Sequence, residues 1–314
     1  MKKEKISIIG QCYNEEENID KFYKEISKIM NTMSQVDFEV LFINDCSKDK
    51  SLEKIKSIAK VDDRIKCVSM SRNFGKDQCA MAGFKYATGD YITTMDLDLQ
   101  DPPELLIEMY NSLKNEDYDI AAAKTVTRKG YKFLHKLFIK IYYGIFNKIS
   151  NVKMIEGQRD YRLMKRKVVN TILLYNEKCL YNKGLLNDVG YKIKWIDYEI
   201  AERTSGTTKF KFKRLVKYAI TGIISYSILP LKLILYCGFF FLLLSFLMLI
   251  LLLVNVLVSL GINAGIFSII IFIFGLFGIQ NIFLGIIALY LSQIHIEVKN
   301  RPLYVVSEFI NIDD

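Results

Sequence analysis

Between Lys232 and Glu297 the chain carries no Asp, Glu, Lys or Arg across 64 consecutive residues. One membrane crossing uses about 20 apolar residues, so this run is too long for a single span and suits two helices with a short turn. We read the spans as about 233–257 and 267–290, joined by 259–265. Lys213, Arg214, Lys217 and Lys232 flank the pair on one side, Lys299 and Arg301 on the other, which predicts both ends in the cytoplasm. The pattern argues against a wholly soluble protein and against a many-span transporter. The expected organisation is a cytoplasmic domain over 1–209, a juxtamembrane amphipathic helix over 210–230, two transmembrane helices within 231–296 and a cytoplasmic tail over 297–314.

Charge refines this picture. Lys and Arg number 43 against 34 Asp and Glu, a net charge of +9. The cations concentrate in 128–153 and 209–217, interleaved with aromatic and aliphatic residues, a pattern that favours a membrane surface over nucleic acid. Within about 131–149, apolar residues including Phe133, Leu137, Phe138, Ile141, Ile145 and Phe146 recur at helical spacing, with Lys132, Lys136 and Lys140 opposite. An interface helix explains this, and a helix of the globular core explains it equally well on pattern alone. The six cysteines show no CxxC pair or zinc spacing, which predicts free thiols in a reducing compartment.

The first 125 residues alternate short apolar runs (6–9, 38–43, 65–69, 91–95 and 120–123) with helical patterns (15–33, 52–59, 78–87 and 104–113). Asn14 followed by Glu17 predicts a capping box at the first helix. Strand–helix alternation predicts an α/β domain with a mainly parallel sheet, whose ligands bind at the carboxyl ends of the strands.

Four strand-end segments carry chemistry. Asp96 and Asp98, with Gln100 and Asp101 close by, offer hard oxygen ligands for Mg2+ or Mn2+, ions that usually share their sites with substrate phosphates. Tyr13 and Glu15 after the first strand, and Asp45 after the second, suit a nucleobase and ribose by stacking and hydrogen bonding, although acidic residues there also complement a helix dipole. Lys76, behind Gly75 at a helix start, suits a diphosphate.

Together these segments resemble family 2 glycosyltransferases of the glycosyltransferase-A fold, in particular the polyprenyl-phosphate type of bactoprenol glucosyltransferases and dolichol-phosphate mannose synthases. The resemblance runs through Tyr-Asn-Glu-Glu-Glu-Asn-Ile at 13–19, Ser-Arg-Asn-Phe-Gly-Lys at 71–76 and Asp-Leu-Asp-Leu-Gln-Asp-Pro-Pro-Glu at 96–104. It continues with Asp-Tyr-Arg-Leu-Met at 160–164, then Arg203, Ser205, Gly206 and Lys209, and closes with the segment 297–304. The chain departs from the family wording at Gln11, near the usual proline, at Cys46 in place of glycine, and at Arg159 before Asp160.

The resemblance implies an inverting hexosyl transfer from a nucleotide-sugar, UDP-glucose foremost, to undecaprenyl or another polyprenyl phosphate at the inner membrane. UDP-N-acetylglucosamine, UDP-galactose and GDP-mannose remain alternative donors, and a non-catalytic membrane-anchored nucleotide-binding module is the rival class. Implied roles are Asp160, Asp98 and Arg203 in catalysis; Asp98, Asp96 and Gln100 for the metal; Tyr13, Glu15, Asp45, Lys76, Asp96 and Gln100 for the donor. Arg128, Arg203, Ser205 and Lys209 are implied for the acceptor phosphate. Membrane lipid and a homo-oligomer through Gly275, Gly278 and Gly285 complete the expected partners.

Overall fold

A computed structural model describes residues 3–126, 143–148, 150, 152–175, 177, 182–199, 223–224, 227–258 and 265–312. The elements are β1 (Lys5–Cys12), α1 (Ile19–Thr32), β2 (Asp37–Asn44), α2 (Ser51–Ala59), β3 (Ile65–Met70), α3 (Lys76–Tyr86), β4 (Tyr91–Asp96) and α4 (Leu105–Asn115). They continue with β5 (Ile120–Thr125), β6 (Gln158–Lys165), α5 (Arg166–Leu174), α6 (Asn182–Asp188), β7 (Ile193–Tyr198), α7 (Leu229–Val258), α8 (Gly265–Val298) and β8 (Val306–Ile310).

One eight-stranded sheet runs in the order β7-β5-β6-β4-β1-β2-β3-β8. The pairs β1–β2, β1–β4, β2–β3 and β5–β7 are parallel. Successive side chains of a strand point to opposite faces, and both faces of this sheet are covered. Thus Ile6 and Ile8 pack with Phe22, Ile26 and Phe42 on one side, while Ile9 packs with Leu41 and Phe84 on the other. Gly83 lets α3 lie directly on β1, since a Cβ there would sit 2.4 Å from Ile9 Cγ2.

The structure differs from the sequence expectation in instructive ways. The parallel pattern is interrupted by β6, antiparallel to both β4 and β5, and by β8, antiparallel to β3. The first helix begins at Ile19, four residues later than expected, and its N-cap Asn18 makes no side-chain capping bond. Asn14 instead sits at φ 53°, and its side-chain oxygen accepts the backbone N–H of Lys48 at 2.8 Å. The predicted capping box therefore does not form, because Asn14 is used to join two strand-end loops.

The segment 297–314, expected as a tail, contributes β8 to the edge of the sheet. Ser71 N donates to Val305 O at 2.9 Å, Phe309 packs edge-on against Tyr86, and Lys56 pairs with Glu308. Of the expected interface helix, residues 143–148 are described and helical; Phe146 is fully buried with Met154, whereas Ile145 is 48% exposed. Of the juxtamembrane helix expected over 210–230, residues 210–222, 225 and 226 lie outside the described residues.

The apolar run forms α7, of 30 residues, and α8, of 34. Pro230 stands in the first turn of α7, where its missing N–H has no helical partner to lose. Among the described residues, Gly275–Val298 is long and apolar enough to cross a membrane, and Leu229–Phe241 is a shorter apolar helix. Tyr290 of α8 donates to Ser227 O at 2.6 Å, tying the second helix to the start of the first.

Candidate active site

Parallel alignment brings the strand ends together. Gln11 at the end of β1 is in register with Asp96 at the end of β4, and Cys12 with Asn44 at the end of β2. The first two loops are laced by polar contacts: Asn14 N to Ser47 Oγ at 3.1 Å, Glu15 N to Ser51 Oγ at 3.0 Å, and Asp45 N to Cys12 O at 2.9 Å. Tyr13 is 42% exposed above them, and Glu15 accepts the Asn18 side-chain amide at 2.6 Å.

Asp45 is buried, and its two carboxylate oxygens accept the backbone N–H groups of Phe74, at 2.6 Å, and Gly75, at 2.9 Å. It thereby fixes the loop that delivers Lys76. Gly75 needs its glycine, because φ is +106°. Cys46 adopts φ 57° at the position where the resembling family has glycine, so the left-handed turn is kept with a side chain that disfavours it. The Arg72 guanidinium stacks 3.9 Å from the centre of the Phe74 ring.

β6 completes the site. It runs antiparallel to β4 with Thr93 opposite Leu163, and extending that register puts Asp160 opposite Asp96. Thr94 Oγ1 donates to Asp160 O at 2.9 Å. Lys76 Nζ lies 2.9 and 3.3 Å from the two oxygens of Asp96 and 3.3 Å from Asp160 Oδ2. Desolvation works against the charged lysine, but Asp96 and Asp160 outweigh it and raise its pKa well above the ordinary value. These groups line a narrow crevice with Gln11, Thr94 and Tyr161.

After Asp96 the chain turns sharply through Leu99, a leucine at φ 52°. The turn sets the Gln100 side-chain amide against Asp98 Oδ2. Among the described residues no three His, Cys, Asp or Glu side chains converge as a metal cage. Asp96, Asp98 and Gln100 supply oxygen donors only. That fits a hard dication bound by one or two carboxylates together with substrate phosphates, and does not fit an all-protein site.

Two features were not anticipated from sequence. Asp101 is buried against Arg159 and Tyr198, anchoring the turn to β6 and β7. Gln11 Oε1 is buried beside the crevice and has no hydrogen-bond partner among the described residues. The departures at Gln11 and Arg159 are visible in the sequence, but the partner of Arg159, Asp101, is 58 residues away in the chain. Arg128, Arg203, Ser205 and Lys209, expected at the acceptor phosphate, lie outside the described residues.

Residues 7–173 match the family model described as glycosyl transferase family 2. Over 307 residues the chain is 36% identical to the SfII prophage-derived bactoprenol glucosyl transferase of Shigella flexneri, covering 97% of this chain and 98% of that protein. It is 35% identical over 309 residues to the uncharacterized glycosyltransferase sll0501 of Synechocystis sp., covering 98% and 96%. Among solved structures, mannosyltransferase PcManGT from Pyrobaculum calidifontis, in complex with GDP-Man and Mn2+, aligns with TM-score 0.49 and 14% identity over 72% of this chain and 64% of that chain.

Proposed function

The chain belongs to glycosyl transferase family 2, and from that premise we propose that it transfers a hexose, glucose foremost, from a uridine diphosphate sugar to a polyprenyl phosphate. The observation that carries this reading is the meeting of Lys76, Asp96 and Asp160 at the carboxyl ends of the strands, beside the Asp98–Gln100 turn. The named Shigella relative, alike over nearly the whole chain, supports the lipid acceptor and the sugar.

In this reading Tyr13, Glu15 and Asp45 lie on the nucleoside side of the cleft, and Lys76 meets the diphosphate. A Mg2+ or Mn2+ ion held by Asp98, Asp96 and Gln100 would supply positive charge for the leaving diphosphate. An oxygen of the lipid phosphate attacks C1 of the sugar as the bond from C1 to the diphosphate oxygen breaks, inverting the anomeric centre. A phosphate monoester loses its second proton near pH 6, so the nucleophile is largely ionised before it reacts. Asp160 then serves at least as much to orient the reacting groups as to take a proton. Arg128, Arg203, Ser205 and Lys209 are the proposed acceptor-phosphate contacts, and Arg203 is also assigned to catalysis.

We extend the proposal to the membrane: α7 and α8 form a two-helix anchor, with catalytic domain and both termini on the cytoplasmic side. The pairing of β8 with β3 supports this, because the chain must return to the side it left. The test is transfer by the purified full-length protein from a panel of nucleotide-sugars to undecaprenyl phosphate, followed by mass spectrometry. A folded Asp98→Ala variant with full activity, or no glycosylated lipid from any donor, overturns the assignment.

A further inference from the structure

Lys76 is the first residue of α3, directly behind Gly75. A cation at a helix N-terminus faces the positive end of the helix dipole, an unfavourable placement by itself. Its ammonium is held there by two carboxylates, contacting both oxygens of Asp96 and one of Asp160. Those carboxylates come from different strands, β4 and β6, and the lysine bridges their side chains. Its side chain is 50% exposed and those of Asp96 and Asp160 are 40% and 36% exposed, so all three reach solvent at the mouth of the crevice.

The charge balance limits how that ligand arrives. Two carboxylates and one ammonium leave one net negative charge. A dication arriving alone at Asp96 must sit against the Lys76 ammonium, and a diphosphate arriving alone must sit against two carboxylates. If both arrive together, the dication takes the carboxylate and the ammonium turns to the phosphate oxygens. The lysine then gains the anion that a helix N-terminus favours.

We propose that Lys76 is a tethered counter-ion that competes with the divalent cation for Asp96, so that cation and nucleotide diphosphate enter the site as a pair. Lys76 is thus a residue that sets binding order, beyond its contact with the donor. The inference rests on the proposed donor and metal site.

The experiment is a Mn2+ titration of the full-length protein in detergent micelles, followed by electron paramagnetic resonance, with and without UDP. Wild-type protein should bind Mn2+ weakly alone and more tightly with UDP. Lys76→Gln should bind Mn2+ about two- to fivefold more tightly than wild type without UDP, the range expected when a part-exposed ion pair is removed. UDP should then add less to its affinity for Mn2+. Lys76→Arg, which keeps a cation, should retain the wild-type dependence on UDP. Equal or weaker Mn2+ binding by folded Lys76→Gln without UDP overturns the proposal. Wild-type protein that binds no Mn2+ even with UDP overturns the metal and donor reading beneath it, a failure visible before any variant is compared.

Discussion

Arg159 grips Asp101 with two parallel contacts, Nε to Oδ1 at 3.0 Å and Nη2 to Oδ2 at 3.2 Å, and so ties β6 to the turn that follows β4. The Tyr198 hydroxyl donates to the same carboxylate. Burial raises the Asp101 pKa, with Arg159 and Tyr198 opposing that shift. Arg159→Ala should leave an uncompensated buried carboxylate and cost roughly 3 kcal/mol at neutral pH. The deficit should shrink as pH falls and Asp101 takes up a proton. Thermal unfolding of the variant between pH 5 and pH 8 checks this, and a pH-independent deficit counts against it.

Glu39 is the second buried carboxylate with a readable linkage. It accepts hydrogen bonds from Ser7 and Thr88 and lies 3.1 Å from Lys5 and 3.2 Å from Lys66. Desolvation would raise its pKa, but the hydrogen bonds from Ser7 and Thr88, and Lys5, carry it down to about 2. A depressed carboxyl pKa stabilises the fold above the unfolded value and loses that contribution as pH falls through the folded one. A shift of this size corresponds to about 3 kcal/mol. Wild type should therefore exceed Glu39→Gln in stability at pH 7, and the gap should close between about pH 4.5 and 2. Parallel stability curves for the two proteins over that window would contradict the assignment.

Metal dependence follows from the donor set of the turn after β4. Chelation should abolish transfer, and Mg2+ or Mn2+ should restore it, because the diphosphate leaves with negative charge that Asp96, Asp98 and Gln100 cannot neutralise themselves. Asp98→Asn should reduce kcat by at least about a hundredfold, the scale seen when one group stabilising transition-state charge is lost. Unimpaired turnover in excess EDTA would remove the metal from the mechanism.

The edge strand makes a topological prediction. Because β8 pairs with β3, a reporter fused after residue 314 should lie on the same side as the catalytic domain, the proposed cytoplasmic side, and a cysteine introduced at 262 should be labelled from the opposite face. Phe309→Ala should also destabilise the catalytic domain by roughly 2 kcal/mol, since Phe309 is partly buried and packs on Tyr86 with ring centres 5.2 Å apart. Labelling of position 262 from the cytoplasm would reject the two-span arrangement.

Much of the candidate site was legible before the fold was known. Asp96, Asp98 and Gln100 stand in one short segment after an apolar run, and Lys76 follows a glycine at a helix start, so local spacing suffices to mark them. Asp160 is marked only by the family resemblance, since it stands in no local motif that points to chemistry by itself. The Asn14–Glu17 pattern predicts a capping box that does not form, because a local pattern cannot reveal a competing partner 34 residues away.

The sequence by itself determined the class of this protein: strand-period apolar runs alternating with helices, acidic strand ends and a long uncharged run each follow from local chemistry. Tertiary structure alone decided that β6 enters the sheet antiparallel and carries Asp160 to Asp96, and that the last strand returns to the edge beside β3. It also decided that Lys76 is shared by two carboxylates. The physical reason is common to all three. Strand direction, edge pairing and ion-pair partners are chosen by free-energy differences between whole packings, whereas hydrophobic period and turn chemistry act within a few residues.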